Sequence, residues 1–320
     1  MSFPRPPFAP ELAAVLDALK DQLPSTFTLE MLPQLRQTPP AHTPESLTEA
    51  GFTVNTEKIA TYDGDSIEVS VLRPVGATGK TPGIFYTHGG GMIMGDRWLG
   101  VGAVLGAARR NRATIVTIEY RRAPEFPDPA PVEDCYSGLV WMAEHAEALG
   151  IDVDRILIAG SSAGGGLAAG TALLARDRGG PHLAAQLLMY PMLDDRDSTT
   201  STQQIDGVGV WDRASNRMGW DALLGERRGG EDVSIYAAPA RASDLSRLPP
   251  AYIDCGSAEV FRDEDVAYAT ALWAAGGSAE LHVWAGGFHG FDELAATTTV
   301  AQQMLRTRES WLDQVLGESS

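Results

Sequence analysis

Apolar and polar positions along this chain recur with two different periods, and their order predicts the architecture. Near the start, residues 11–23 carry apolar side chains at helical spacing, and a second short helical stretch follows at 29–35. A Pro/Thr-rich run at 38–44 reads as a linker. Residues 52–61 and 66–72 are strand-like and flank Asp63-Gly64, a pair suited to the tight turn of an antiparallel hairpin. Beyond it, short apolar runs of buried-strand type occupy 83–87, 113–119, 155–159, 184–189, 251–254 and 280–284. Helical stretches separate them, among them 131–147, 167–176, 263–275 and 299–316. Such alternation predicts an α/β fold, a mostly parallel sheet with helices on both faces. With the hairpin adding two edge strands, the sheet would have about eight.

One stretch breaks the rhythm. The segment between Asp194 and Leu248 is too long for an ordinary connection, and Trp211, Met218 and Trp220 recur in it at helix-like spacing. It is expected to fold over the carboxyl edge of the sheet. The domains are then 1–48 as N-terminal cap helices, 49–194 and 241–320 as catalytic core, and 195–240 as a cap insertion.

Composition narrows the partners. At 320 residues the chain can bury one large α/β core. A net charge of −17 argues against a nucleic-acid partner and implies mild repulsion of anionic substrates. No apolar run approaches membrane-spanning length, and the start, Met1-Ser2-Phe3-Pro4-Arg5-Pro6-Pro7, lacks a signal peptide's apolar stretch, so a cytoplasmic protein without a membrane partner is expected. Cys135 and Cys255 make neither a disulfide framework nor a metal cluster, and no His-Glu-x-x-His occurs. Neither a metal nor an organic cofactor is expected.

Two strings carry the chemistry. Gly160-Ser161-Ser162-Ala163-Gly164 has the Gly-x-Ser-x-Gly pattern of a nucleophile elbow and stands between a strand-like and a helix-like run, which marks Ser162 as a nucleophile. His88-Gly89-Gly90-Gly91 follows another strand and can offer backbone N–H groups to a developing oxyanion. The serine needs a base. Of six histidines, His42 and His145 precede the elbow, His88 belongs to the glycine loop, His182 follows the elbow helix too closely, and His282 lies within a strand. His289, in a glycine-rich loop after the last strand, remains. The acid that orients it should follow the strand at 251–254. Glu259 is the first carboxylate there, and Asp263 is its rival, although Asp263 also suits the first turn of the next helix. Met92, Met94, Trp98, Trp211 and Met218 could line an apolar acyl pocket or be core.

These residues resemble the microbial esterases of the hormone-sensitive lipase family, within the α/β-hydrolase superfamily. Further strings carry the likeness: Tyr120-Arg121-Arg122-Ala123-Pro124-Glu125, Tyr190-Pro191, and the stretch from Leu248-Pro249-Pro250-Ala251 through Arg262-Asp263-Glu264, ending at His289-Gly290-Phe291. The resemblance implies Ser162 as nucleophile, His289 as base, and an oxyanion hole from the amides of Gly89, Gly90 and Ala163. It also implies a helical cap. The sequence departs from the family at Ser161, where many members carry Asp or Thr, and at Glu259, where Asp is usual. Arg121 and Glu125 read as charges that brace loops. The expected activity is hydrolysis of a small-molecule ester with a short to medium acyl chain, through an acyl-enzyme. An amidase, lactonase or acyltransferase would use the same residues, and a noncatalytic binding protein would be favoured only if a triad member were missing. A homodimer through an exposed final strand is a fold-level expectation.

Overall fold

Strands that are apolar on both faces take the middle of the sheet, and those with interspersed polar residues take its rims. A computed structural model describes residues 4–317. Its strands are β1 (Phe52–Ala60), β2 (Ser66–Pro74), β3 (Thr81–Thr87), β4 (Thr114–Glu119), β5 (Ile151–Ser161), β6 (Ala185–Met189), β7 (Ala251–Gly256) and β8 (Ala279–Trp284). They form one sheet in the order β1-β2-β4-β3-β5-β6-β7-β8. β1 and β2 pair antiparallel, as do β2 and β4, and all other pairs are parallel. β3, β6 and β7 are buried throughout, whereas β1 and β8 carry exposed side chains at the rims.

The two-residue period of a strand divides the core in two. Phe85 and Ile158 point to one face, where they meet Leu139 of the helix Ala130–Glu144 and Leu167 of the helix Ala163–Arg178. Ile84, Tyr86, Leu157 and Ala159 point to the other, against Val104 of Gly102–Arg110 and Leu312 of Thr299–Leu316. The helix Ala163–Arg178 is buried from Ala163 to Ala175, which its run of alanines and glycines permits by letting neighbouring chain approach closely.

Three expectations need correction. The hairpin supplies one edge strand, not two, because β2 is enclosed between β1 and β4. The helix expected at 131–147 stops at Glu144 and resumes as Ala146–Leu149, and the first helix is Pro10–Leu19, ending before residue 23. Gly102–Arg110 was not anticipated, although Val104, Ala107 and Ala108 recur at helical spacing on its buried face.

Pro10–Leu19 docks on the sheet-bearing body. Leu12 is fully buried there, Ala9 N–H donates to Gly286 O at 3.1 Å, and the Glu11 carboxylate accepts the amides of Thr299 and Val300 at 2.9 Å. A carboxylate at that helix N-terminus meets its orphan N–H groups and the positive end of its dipole. Residues 195–247 contain the helices Thr200–Gln204 and Arg213–Leu224. The expected 1–48 and 241–320 boundaries include residues 1–3 and 318–320, which lie outside the described residues.

Candidate active site

At the end of β5 the chain reverses into the helix Ala163–Arg178, with Ser162 at φ 56° and ψ −123°. A residue bearing a Cβ adopts such a positive φ only when its surroundings enforce it. Here they do. A Cβ on Gly160 would collide with the Gly164 carbonyl, and one on Gly164 with the carbonyls of Thr87 and His88, so both flanking positions must be glycine. Ser162 N–H donates to Met189 O and Ser162 O accepts from Met192 N–H, each at 2.9 Å, tying the turn to the end of β6.

Glu259 follows β7 and His289 follows β8, so both reach the carboxyl edge of the sheet where Ser162 stands. His289 Nε2 lies 2.9 Å from Ser162 Oγ, and His289 Nδ1 lies 2.7 Å from Glu259 Oε2. A carboxylate only accepts, so it selects the tautomer with the proton on Nδ1 and leaves Nε2 to take the serine proton. Gly256 N–H donates to the other Glu259 oxygen at 2.6 Å. The rings of Tyr190 and Phe261 meet the imidazole edge-on, with centroids at 5.0 and 5.1 Å, which restrains its tilt. Asp263 lies elsewhere in the network. Its carboxylate accepts Ser201 N–H at 2.7 Å and pairs with Arg262 at 2.7 Å.

Gly89, Gly90 and Ala163 surround Ser162, and among the described residues none of their amides donates to a protein acceptor. His88 orients one of them. Its ring is stacked on Tyr120, burial pushes its pKa down to about 3, and neutral Nδ1–H donates to Gly89 O at 2.7 Å. In a trans peptide the carbonyl and the following N–H point opposite ways, so pinning Gly89 O turns Gly90 N–H away from His88.

Beneath the site, Arg308 is fully buried and joins two carboxylates. It reaches Asp254 in β7 at 3.0–3.1 Å and Asp292, three residues after His289, at 2.8 Å. Burial raises Asp254 to about 6 against the opposing pull of Arg308, while Asp254 and Asp292 outweigh the desolvation of Arg308 and hold it firmly charged. The two directions disagree over Asp254. The bidentate contact with a permanently charged guanidinium favours the ionised pair near neutral pH.

Above Ser162 opens a cavity of about 570 Å³. Gly89, Gly90, Ser162 and His289 form one side of it, and Leu23, Phe27, Leu35, Pro39, Pro40, Val210 and Trp211 supply apolar surface. Of the expected pocket residues Trp211 lines this cavity, as does Met94. Met92 and Trp98 do not, being packed into the two core clusters, and Met218 lies at a separate surface depression beside Asp206 and Arg213. The sequence reading also missed residues 38–41, taken as a linker, which form part of the cavity wall. Proline rings give apolar area without periodicity, so no pattern marks them. Glu293, Arg36 and Arg122 at the same wall were equally silent. Arg36 pairs with Glu125 at 2.8 Å, and Arg121 with Asp63 and Asp134 at 2.9 and 2.8 Å, so the motif's charges brace loops.

Thr26 Oγ1 and Gly207 N–H donate to Asp212 Oδ2 at 2.5 and 2.9 Å, while Ser215 N–H donates to Oδ1 at 2.9 Å, knitting the N-terminal segment to the helix Arg213–Leu224. Donor atoms of Cys255, Glu259 and Asp265 come within 4.8 Å of one another. Burial raises the Cys255 thiol and the Asp265 carboxyl well above their ordinary ranges, which disfavours the deprotonated forms a metal needs, and Glu259 is committed to His289 and Gly256, so this trio is a poor metal cradle.

The chain is similar to proteins named as esterases. A family profile for the alpha/beta hydrolase fold matches residues 84–293. Carboxylesterase NlhH of Mycobacterium tuberculosis is 37% identical over 309 residues, spanning 92% of this chain and 93% of that protein. Esterase LipI of the same organism is 36% identical over 70% of each chain. Among solved structures, a bacterial heroin esterase superposes with a TM-score of 0.88 at 37% identity, covering 97% of this chain and 98% of its own. Among the described residues no helix is long and apolar enough to cross a membrane.

Proposed function

This chain belongs to the hormone-sensitive-lipase-like esterases of the α/β-hydrolase superfamily, and from that premise we propose that it cleaves short- to medium-chain acyl esters through a serine acyl-enzyme. Ser162 Oγ attacks the acyl carbon as its proton passes to His289 Nε2, and Glu259 stabilises the imidazolium that results. The amides of Gly89, Gly90 and Ala163 receive the oxyanion, helped by the N-terminal dipole of the helix that Ala163 opens. The imidazolium then protonates the departing alcohol. Water, deprotonated by the same imidazole, releases the acid and regenerates Ser162. The single observation that supports this reading is the unbroken chain of contacts from Ser162 Oγ through His289 to Glu259.

The apolar cavity wall formed by residues 23–41 and 210–211 supports assigning the N-terminal segment and 195–240 as a cap over the acyl site. A cavity of that size accommodates a small dissolved ester.

A series of p-nitrophenyl esters from acetate to laurate tests both parts. We expect kcat/KM to peak between acetate and octanoate, and Ser162→Ala to lose at least about 10⁴-fold in kcat. Retained activity in Ser162→Ala would remove the nucleophile assignment. A maximum at laurate would remove the chain-length assignment.

A further inference from the structure

One charged group at the cavity has no task in the chemistry above. Glu293 lies in the short helix Phe291–Leu294, four residues after His289, and its side chain lines the cavity with Ser162. The other charged residues of that wall are engaged. Arg36 is paired with Glu125, Arg122 with Glu119 at 3.2 Å, and Asp96 accepts Trp98 N–H at 2.8 Å. Among the described residues, no hydrogen bond or ion pair engages the Glu293 carboxylate. Its side chain is exposed at the cavity wall. It also stands close to the elbow. A Cβ placed on Gly100 would lie 3.0 Å from Ser161 Oγ and 3.2 Å from Glu293 Oε1, so both groups border that glycine.

We propose that Glu293 selects esters carrying an ammonium group, so that esters of amino alcohols are preferred over neutral esters of the same shape. The proposal rests on the esterase reading and names a substrate class for the same cavity. A carboxylate without a partner on an otherwise largely apolar cavity wall offers a cationic group its charge there, and the apolar surface beside it reduces the screening between the two. The net charge of −17 favours the approach of the same substrates.

The groups facing Glu293 make the preference depend on pH. Desolvation by its surroundings and the Asp292 charge beside it raise Glu293 to about 7, against the opposing charge of Arg308 from the last helix. Tyr86 of β3 and Tyr190 after β6 also face it and stay neutral, because burial raises both phenols. His289, Asp96 and the paired Arg36 and Arg122 are the other charged or titratable groups lining that wall. Raising the pH through 7 therefore ionises Glu293 and should strengthen cation selection.

The test compares acetylcholine with 3,3-dimethylbutyl acetate, which replaces the quaternary nitrogen by carbon, and compares choline with 3,3-dimethylbutanol as inhibitors of p-nitrophenyl acetate hydrolysis. We expect the cation to be favoured about tenfold at pH 8 in kcat/KM or in inhibition constant, and less at pH 6. Glu293→Gln should bring both ratios to about one at either pH. Equal treatment of the pair by the unmodified enzyme at pH 8, or an unchanged ratio in Glu293→Gln, would overturn the proposal while leaving the esterase reading intact. An enzyme inactive on p-nitrophenyl acetate would instead overturn the esterase reading, and Glu293 would then be judged by whether choline outbinds 3,3-dimethylbutanol in calorimetry.

Discussion

Ser162, Glu259 and His289 stand at strand ends where backbone contacts leave little freedom, whereas the segments facing them across the cavity, residues 23–41 and 207–215, meet one another through side chains. Below, positive φ at Ser162, close approach at Gly160 and Gly164, and the buried Arg308 network constrain the backbone. Above, Phe27 lies against Trp211 with ring centroids 5.7 Å apart, and Asp212 gathers hydrogen bonds from Thr26, Gly207 and Ser215. The difference follows the demands on each part. Proton transfer between oxygen and nitrogen fails when either atom is displaced by an ångström, but a cavity wall need only supply volume and polarity.

Substitutions on the two sides should separate these roles. Glu259→Ala should show the largest effect, a loss of about 10⁴-fold in kcat, because the imidazole loses both its tautomer and its counter-charge. Asp263→Ala should stay within a few-fold, since that carboxylate serves Ser201 and Arg262. Steady-state rates on p-nitrophenyl acetate decide the matter, and equal losses at both positions would dissolve the distinction between them. Arg308→Met should destabilise the fold by about 3–5 kcal/mol in urea unfolding, because it strands the Asp254 and Asp292 carboxylates away from water. Little change there would mean that those carboxylates protonate readily and that the pair is not a brace. On the opposite side, Asp212→Ala should cost only about 1–2 kcal/mol. It should speed amide hydrogen exchange in residues 23–41 while leaving exchange in β5 and the elbow helix unaltered. Exchange that quickens throughout would show the two regions to be one cooperative unit.

The side that holds Ser162 and His289 was largely legible beforehand because its signals are local. Buried strands show as apolar runs, the Gly-x-Ser-x-Gly turn as five adjacent letters, and His289 as the histidine in a glycine loop after the last strand. The covering side was poorly legible. Pro39 and Pro40 read as a linker, and Met92 and Trp98, open to either pocket or core from their letters, pack in the core. An apolar side chain has the same letter whether it faces a cavity or a neighbour, and only the path of the chain distinguishes the two.

Local composition and periodicity therefore determined the strand and helix succession, the mostly parallel sheet, the elbow and the choice of histidine, because each rests on neighbours within a few residues. Whether Glu259 or Asp263 meets His289, where Arg308 places its charge, and that Glu293 turns into the cavity were decided only by tertiary structure. Those outcomes depend on distances between strand ends, loops and helices far apart in the chain, which packing of the whole core sets and no short stretch of sequence contains.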